Sequence, residues 1–89
     1  MDEELLHGVL FSLATIIGRL HGGLLAELTN EDEISNGTAD MLLSREEAFI
    51  ASLRRLGEDD PSEASHPLEL QLMELVVKTA SDTVRERLA

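Results

Sequence analysis

The sequence predicts an all-α fold: a three-helix antiparallel bundle with a long N-terminal helix, packed further as a homo-oligomer. Three observations carry this. Apolar residues recur at three- and four-residue spacing in three segments, separated by polar, turn-rich connections. The apolar residues are mainly Leu, Ile, Val, Met and Ala, with two Phe and no Tyr or Trp, and no useful alternating run favours a strand. The longest apolar run, Leu5 to Leu28, offers more apolar surface than a small core needs. At 89 residues the chain reads as a single helical domain, 1–89. A domain of that size is marginal unless it is well packed or oligomeric.

Helix 1 is expected from Asp2 or Glu3 to Leu28 or Thr29. Asp2, Glu3 and Glu4 fall in its first turn, where negative charge complements the helix dipole. Around the axis, Leu6, Leu10, Leu13, Ile16, Ile17, Leu20, Leu24 and Leu28 form one broad stripe, with Leu5 and Val9 at its edge. Ser12, Thr15 and Arg19 form a narrow polar strip. Between them lies a third face of Phe11, Ala14, Gly18, His21, Gly22 and Leu25. Ala14, Gly18, Gly22 and Ala26 recur every four residues, a spacing that lets two backbones approach closely. Each helical glycine costs up to about 1 kcal/mol relative to alanine, so that groove needs a compensating contact. The Leu/Ile stripe is expected to meet helices 2 and 3 of the same chain. The third face, Phe11, Ala14, Gly18, His21, Gly22 and Leu25, is then the expected oligomer interface. Gly22-Gly23 is the place where a kink or break of helix 1 would fall.

Helix 2 is expected from Thr38 to Leu56, with Asn36-Gly37 as a preceding turn, Thr38 or Ser44 as cap and Gly57 as the terminating residue. Leu42, Phe49, Ile50, Leu53 and Leu56 form its core face. A polar connection, Gly57 to His66, follows. Pro67 suits the first turn of helix 3, which runs to about Leu88 with Leu68, Leu72, Val76, Ala80, Val84 and Leu88 at four-residue intervals.

The net charge of -11 argues against binding nucleic acid through its phosphates and against an anionic membrane surface. Helix 1 is long enough to span a bilayer. Arg19 inside it and acidic residues at both ends oppose that reading. The chain has no cysteine, which excludes disulfides, thiolate metal sites and a Cys nucleophile and fits a cytoplasmic setting.

Much of the negative charge lies at the connections and the N-terminus. An up-down-up arrangement gathers Asp2, Glu3, Glu4, Glu58, Asp59, Asp60 and Glu63 at one acidic pole, with His7 and His66 near it. No metal ligand spacing is diagnostic there, so no metal or cofactor is expected, and a solvated acidic end is the favoured reading. A metal- or pH-responsive role for that pole is an alternative. Asp32 to Asp40 resembles a degenerate EF-hand loop, but Ile34 and Leu43 stand where two oxygen ligands are required. His7 and His21 are about 21 Å apart along one helix and cannot share a metal. No nucleophile elbow, Walker glycine pattern or dinucleotide fingerprint is present, so no enzyme activity is expected.

Two function classes remain in front. One is a regulatory or adaptor protein that works by protein–protein contact and self-associates through helix 1. The other is a phage-type acidic inhibitor or nucleic-acid mimic that blocks a basic site on a host protein. The first is favoured by the apolar excess of helix 1, the second by net charge alone.

Overall fold

The early carboxylates start α1. The Asp2 carboxylate accepts from the Glu4 amide at 3.1 Å, and Glu3 and Glu4 follow in the first turn. The structure, a computed structural model, describes residues 2–88. It is all-helical: α1 (Glu3–Asn30), α2 (Asn36–Asp59), a short 3-10 turn (Pro61–Glu63) and α3 (Pro67–Leu88), with no strand among the described residues. α1 runs unbroken through Gly22-Gly23. At 28 residues it is about 42 Å long by helical rise, and it matches the 43 Å long axis of the molecule.

The stop of α1 is built from the segment that resembled a calcium loop. Asp32 takes a left-handed conformation, φ 60°. The Glu33 amide then reaches back to the Leu28 carbonyl at 2.9 Å and the Asp32 amide to that of Thr29 at 3.1 Å. This is the Schellman pattern, which satisfies carbonyls the helix end leaves free. Glycine is the residue that adopts this conformation at least cost. Asp32→Gly is therefore expected to raise stability by roughly 0.5–1 kcal/mol, measured as a shift in the urea midpoint. An unchanged or lower midpoint would show that the aspartate side chain itself contributes there.

Two boundaries differ from expectation. α2 starts at Asn36 rather than Thr38, because Ser35 caps it: its Oγ accepts from the Thr38 amide at 3.1 Å and lies 3.0 Å from the Thr38 hydroxyl. Asn36-Gly37 is thus the first turn of the helix. At the other end, Gly57 does not terminate α2. The helix continues to Asp59 and no glycine has positive φ. The space decides that position, since a Cβ there would lie 3.1 Å from both Cα and Cβ of Ala64. Pro67 opens α3 as expected, with His66 Nδ1 accepting from the Leu68 amide at 3.0 Å.

α3 is the central packing partner. It lies parallel to α1, with Gly18 against Val76 and Thr79, and Gly22 against Ala80 and Thr83. α2 runs antiparallel to α3, linked by the Arg54–Glu74 ion pair and by Ile50 on Leu70 and Val77. α1 and α2 touch each other much less than either touches α3. The core is two small clusters. Leu25, Leu43, Ala80 and Val84 form one, with Ile34 and Leu88 packed on it. Ile50, Leu70 and Val77 form the other, with Leu53 and Met73.

The face of α1 that turns inward is not the one expected. The small-residue face, not the Leu/Ile stripe, is covered within the chain. Ala14, Gly18, Gly22, Leu25 and Ala26 are buried. Most of the stripe faces outward: Leu6, Leu13, Ile16, Ile17, Leu20 and Leu24 are exposed, as are Leu5 and Val9 at its edge. The physical reason lies in α3. Its Thr79, Ala80 and Thr83 are themselves small, so the two backbones close on each other, and close approach gains more contact than a ridge of leucines on a flat surface.

Candidate interaction surface

The parallel α1–α3 contact fixes which face of α1 stays open. A Cβ at Gly22 would stand 2.4 Å from the Ala80 carbonyl oxygen and 2.9 Å from its Cα; one at Gly18 would stand 2.7 Å from the Val76 carbonyl oxygen. Of the six residues expected to form an oligomer interface, Ala14, Gly18, Gly22 and Leu25 are therefore enclosed by the chain itself, and Phe11 and His21 are half-buried beside them. The face expected to meet a second copy is occupied by α3. The sequence carried a signal for this: Val76, Ala80 and Val84 repeat at the same four-residue spacing as Ala14, Gly18 and Gly22, with Thr79 and Thr83 adding two more small residues.

His21 marks the border between the buried and open sides of α1. Its Nε2 lies 2.5 and 3.0 Å from the two carboxylate oxygens of Glu46 on α2. Ile17 sits one turn before His21 on the open side and is 53 % exposed; Leu20, further round, is 69 % exposed. From Leu5 to Leu24 the stripe contains no charged residue, and Arg19 lies on the other side of the helix. The outward face of α1 is thus a continuous aliphatic ridge.

A second apolar feature lies beyond the His21–Glu46 pair. A groove of about 440 Å³ runs between α2 and α3, lined by Leu42, Phe49, Ile50, Met73, Val76 and Val77, with Arg45 and Glu46 at its rim. Phe49 and Leu42, expected in the core, are exposed along its wall. Glu46 lines this groove and also meets α1, and the Val76 carbonyl lies under Gly18. Ridge and groove are therefore neighbours.

The acidic residues expected at one pole occupy helix ends and the connection between α2 and α3. Asp2 caps α1. Glu58 and Asp59 finish α2. The Asp60 carboxylate accepts from the Ser62 amide at 3.1 Å and from its hydroxyl at 2.7 Å, and Glu63 closes the 3-10 turn. His7 lies 4.0 Å from Glu3 on an exposed surface, while His66 is used to cap α3. Among the described residues no group of three His, Asp or Glu side chains could hold a metal ion.

On the side of the α1–α3 pair away from the ridge, the surface is polar. Thr15, Arg19, Asp82, Glu86 and Arg87 line a shallow depression there. α1 by itself is long and apolar enough to cross a membrane. Packed as it is, it would carry these charges with it, and charge in hydrocarbon is costly.

Compared with known protein families, with curated proteins and with solved structures, the chain matches none of them.

Proposed function

We propose that this chain is a small acidic interaction protein of regulatory or adaptor type, which acts by contact rather than catalysis and self-associates through the outward Leu/Ile ridge of α1. The observation that carries this is the uncovered ridge itself: Leu6, Leu13, Ile16, Ile17, Leu20 and Leu24 in one uncharged line along a helix already packed on its other side. Contiguous exposed apolar surface of this extent marks a contact site in a folded protein.

A standard interface buries about 800 Å² per partner, and covering its apolar part supplies the main favourable term in association. The ridge lies away from most of the carboxylates, so two chains of net charge -11 can meet there without opposing like charges directly.

Size exclusion coupled to light scattering tests the proposal. The expected mass at high micromolar concentration is a multiple of the 9.8 kDa chain. Ile17→Glu, which places a carboxylate in the centre of the ridge at an exposed position, is expected to give the monomer with unchanged helix content. A wild-type chain that stays at monomer mass overturns self-association. Salt separates the proposal from an acidic inhibitor: apolar association holds as ionic strength rises, whereas a contact made by carboxylates weakens.

A further inference from the structure

We infer that the groove between α2 and α3 is the seat for the α1 ridge of a second copy, so that each protomer gives its ridge and receives its partner's in one isologous contact. The inference rests on the self-association proposed above and says what the ridge packs against.

Four observations point to a second copy as the occupant. The first is area. A closed monomer of this mass exposes about 5,200 Å², and this chain exposes 6177 Å². The excess, about 1,000 Å², is close to what one partner contributes to a standard interface. The second is shape. The Cα radius of gyration is 15.0 Å, against about 12 Å for a compact domain of this length. The molecule is only 16 Å along its thinnest axis, so it has a broad face and lacks a helix layer over it. The third is matching chemistry. The groove is lined by Leu42, Phe49, Ile50, Met73, Val76 and Val77, with charge only at the rim. Pockets for small polar ligands carry converging polar groups; six of the eight residues lining this groove are apolar, which suits aliphatic side chains such as the same chain presents on α1. The fourth is position. His21 of α1 bonds to Glu46 at the groove rim, so ridge and groove share one face. A two-fold axis lying in the plane of that face, between ridge and groove, sets each ridge against the partner's groove, and both are satisfied at once.

The geometry also sets the role of Phe49. It is 57 % exposed on the groove wall, so much of the aromatic ring stays in water in the isolated chain. Against a partner ridge it would be enclosed by leucine and isoleucine side chains, the kind of central aromatic anchor that dominates interface energetics.

The test compares Phe49→Glu with Ile17→Glu and wild type by light scattering across a dilution series, with far-ultraviolet circular dichroism as the check on folding. Wild type is expected to associate, and both variants to dissociate at least tenfold more readily, with helix content kept. If wild type associates and Ile17→Glu disrupts it while Phe49→Glu leaves the dissociation constant unchanged, the groove is not the seat and the inference falls, although self-association stands. If wild type is a monomer, the reading beneath it falls too. The absence of cysteine allows a second measurement. Phe49→Cys and Leu20→Cys chains mixed under mild oxidant are expected to form a disulfide-linked heterodimer in preference to either homodimer. Homodimers of Leu20→Cys alone would show ridge packed on ridge, and overturn the inference.

Discussion

Gly22→Leu is expected to abolish the folded monomer unit, and Gly22→Ala to destabilise it by roughly 1–3 kcal/mol despite alanine's better helix propensity. Two effects oppose each other at this position. Alanine in a helix is worth about 1 kcal/mol over glycine. A methyl group at Gly22, however, would stand 2.4 Å from the Ala80 carbonyl oxygen and 2.9 Å from its Cα, which are backbone atoms that cannot rotate aside. The two helices must separate, and the separation is felt at Gly18 and along Val76, Thr79 and Thr83 on the same seam. The steric term therefore wins. Gly8 supplies the control, because nothing lies within 4 Å of a Cβ there. Gly8→Ala is expected to stabilise by up to about 1 kcal/mol. Urea denaturation of the two variants at equal protein concentration should move in opposite directions. A Gly22→Ala chain as stable as Gly8→Ala would mean that α1 and α3 are not closely packed there.

Leu25→Ala and Leu20→Ala are expected to fail in different ways. Leu25 is 5 % exposed and packs with Leu43, Ala80 and Val84. Truncating it removes buried methyl groups and leaves a cavity, at a cost of about 2–4 kcal/mol. That loss belongs to the protomer and is expected to persist on dilution. Leu20 is on the ridge and 69 % exposed. In the isolated chain its truncation costs little, since few of its contacts are within the chain. In an assembly it removes packing at the contact, so stability is lost only where chains are associated. Thermal melts at two well-separated concentrations make the distinction. Leu20→Ala should reduce the concentration dependence of Tm while leaving the dilute value near wild type; Leu25→Ala should lower Tm at both. A Leu20→Ala chain that loses several kcal/mol when dilute would place Leu20 inside the protomer, against its exposure in the structure.

The helices themselves were legible in the sequence because local terms determine them. The Asp2–Glu4 start, the four-residue apolar repeats and Pro67 each act within a turn or two, and the structure follows them. Boundaries were less legible where a side chain chose between local partners. Asn36-Gly37 reads equally as a turn or as the first turn of a helix, and the Ser35 hydroxyl on the Thr38 amide selects the helix. Gly57 carries the usual mark of a helix stop, yet it is there because Ala64 passes close by, which no local pattern encodes.

By itself, then, the sequence determined that the chain is helical, that α1 has two distinct apolar faces and that its charge sits largely at the ends and connections. Which of the two faces turns inward was decided only by tertiary structure. Periodicity shows that a face exists, but its partner depends on fit between distant segments. Gly18 and Gly22 admit the backbone of α3 because Thr79, Ala80 and Thr83 are small on the opposing side, and that match spans some sixty residues of sequence. Once the glycine face is closed against α3, the leucines and isoleucines of the other face are left outside.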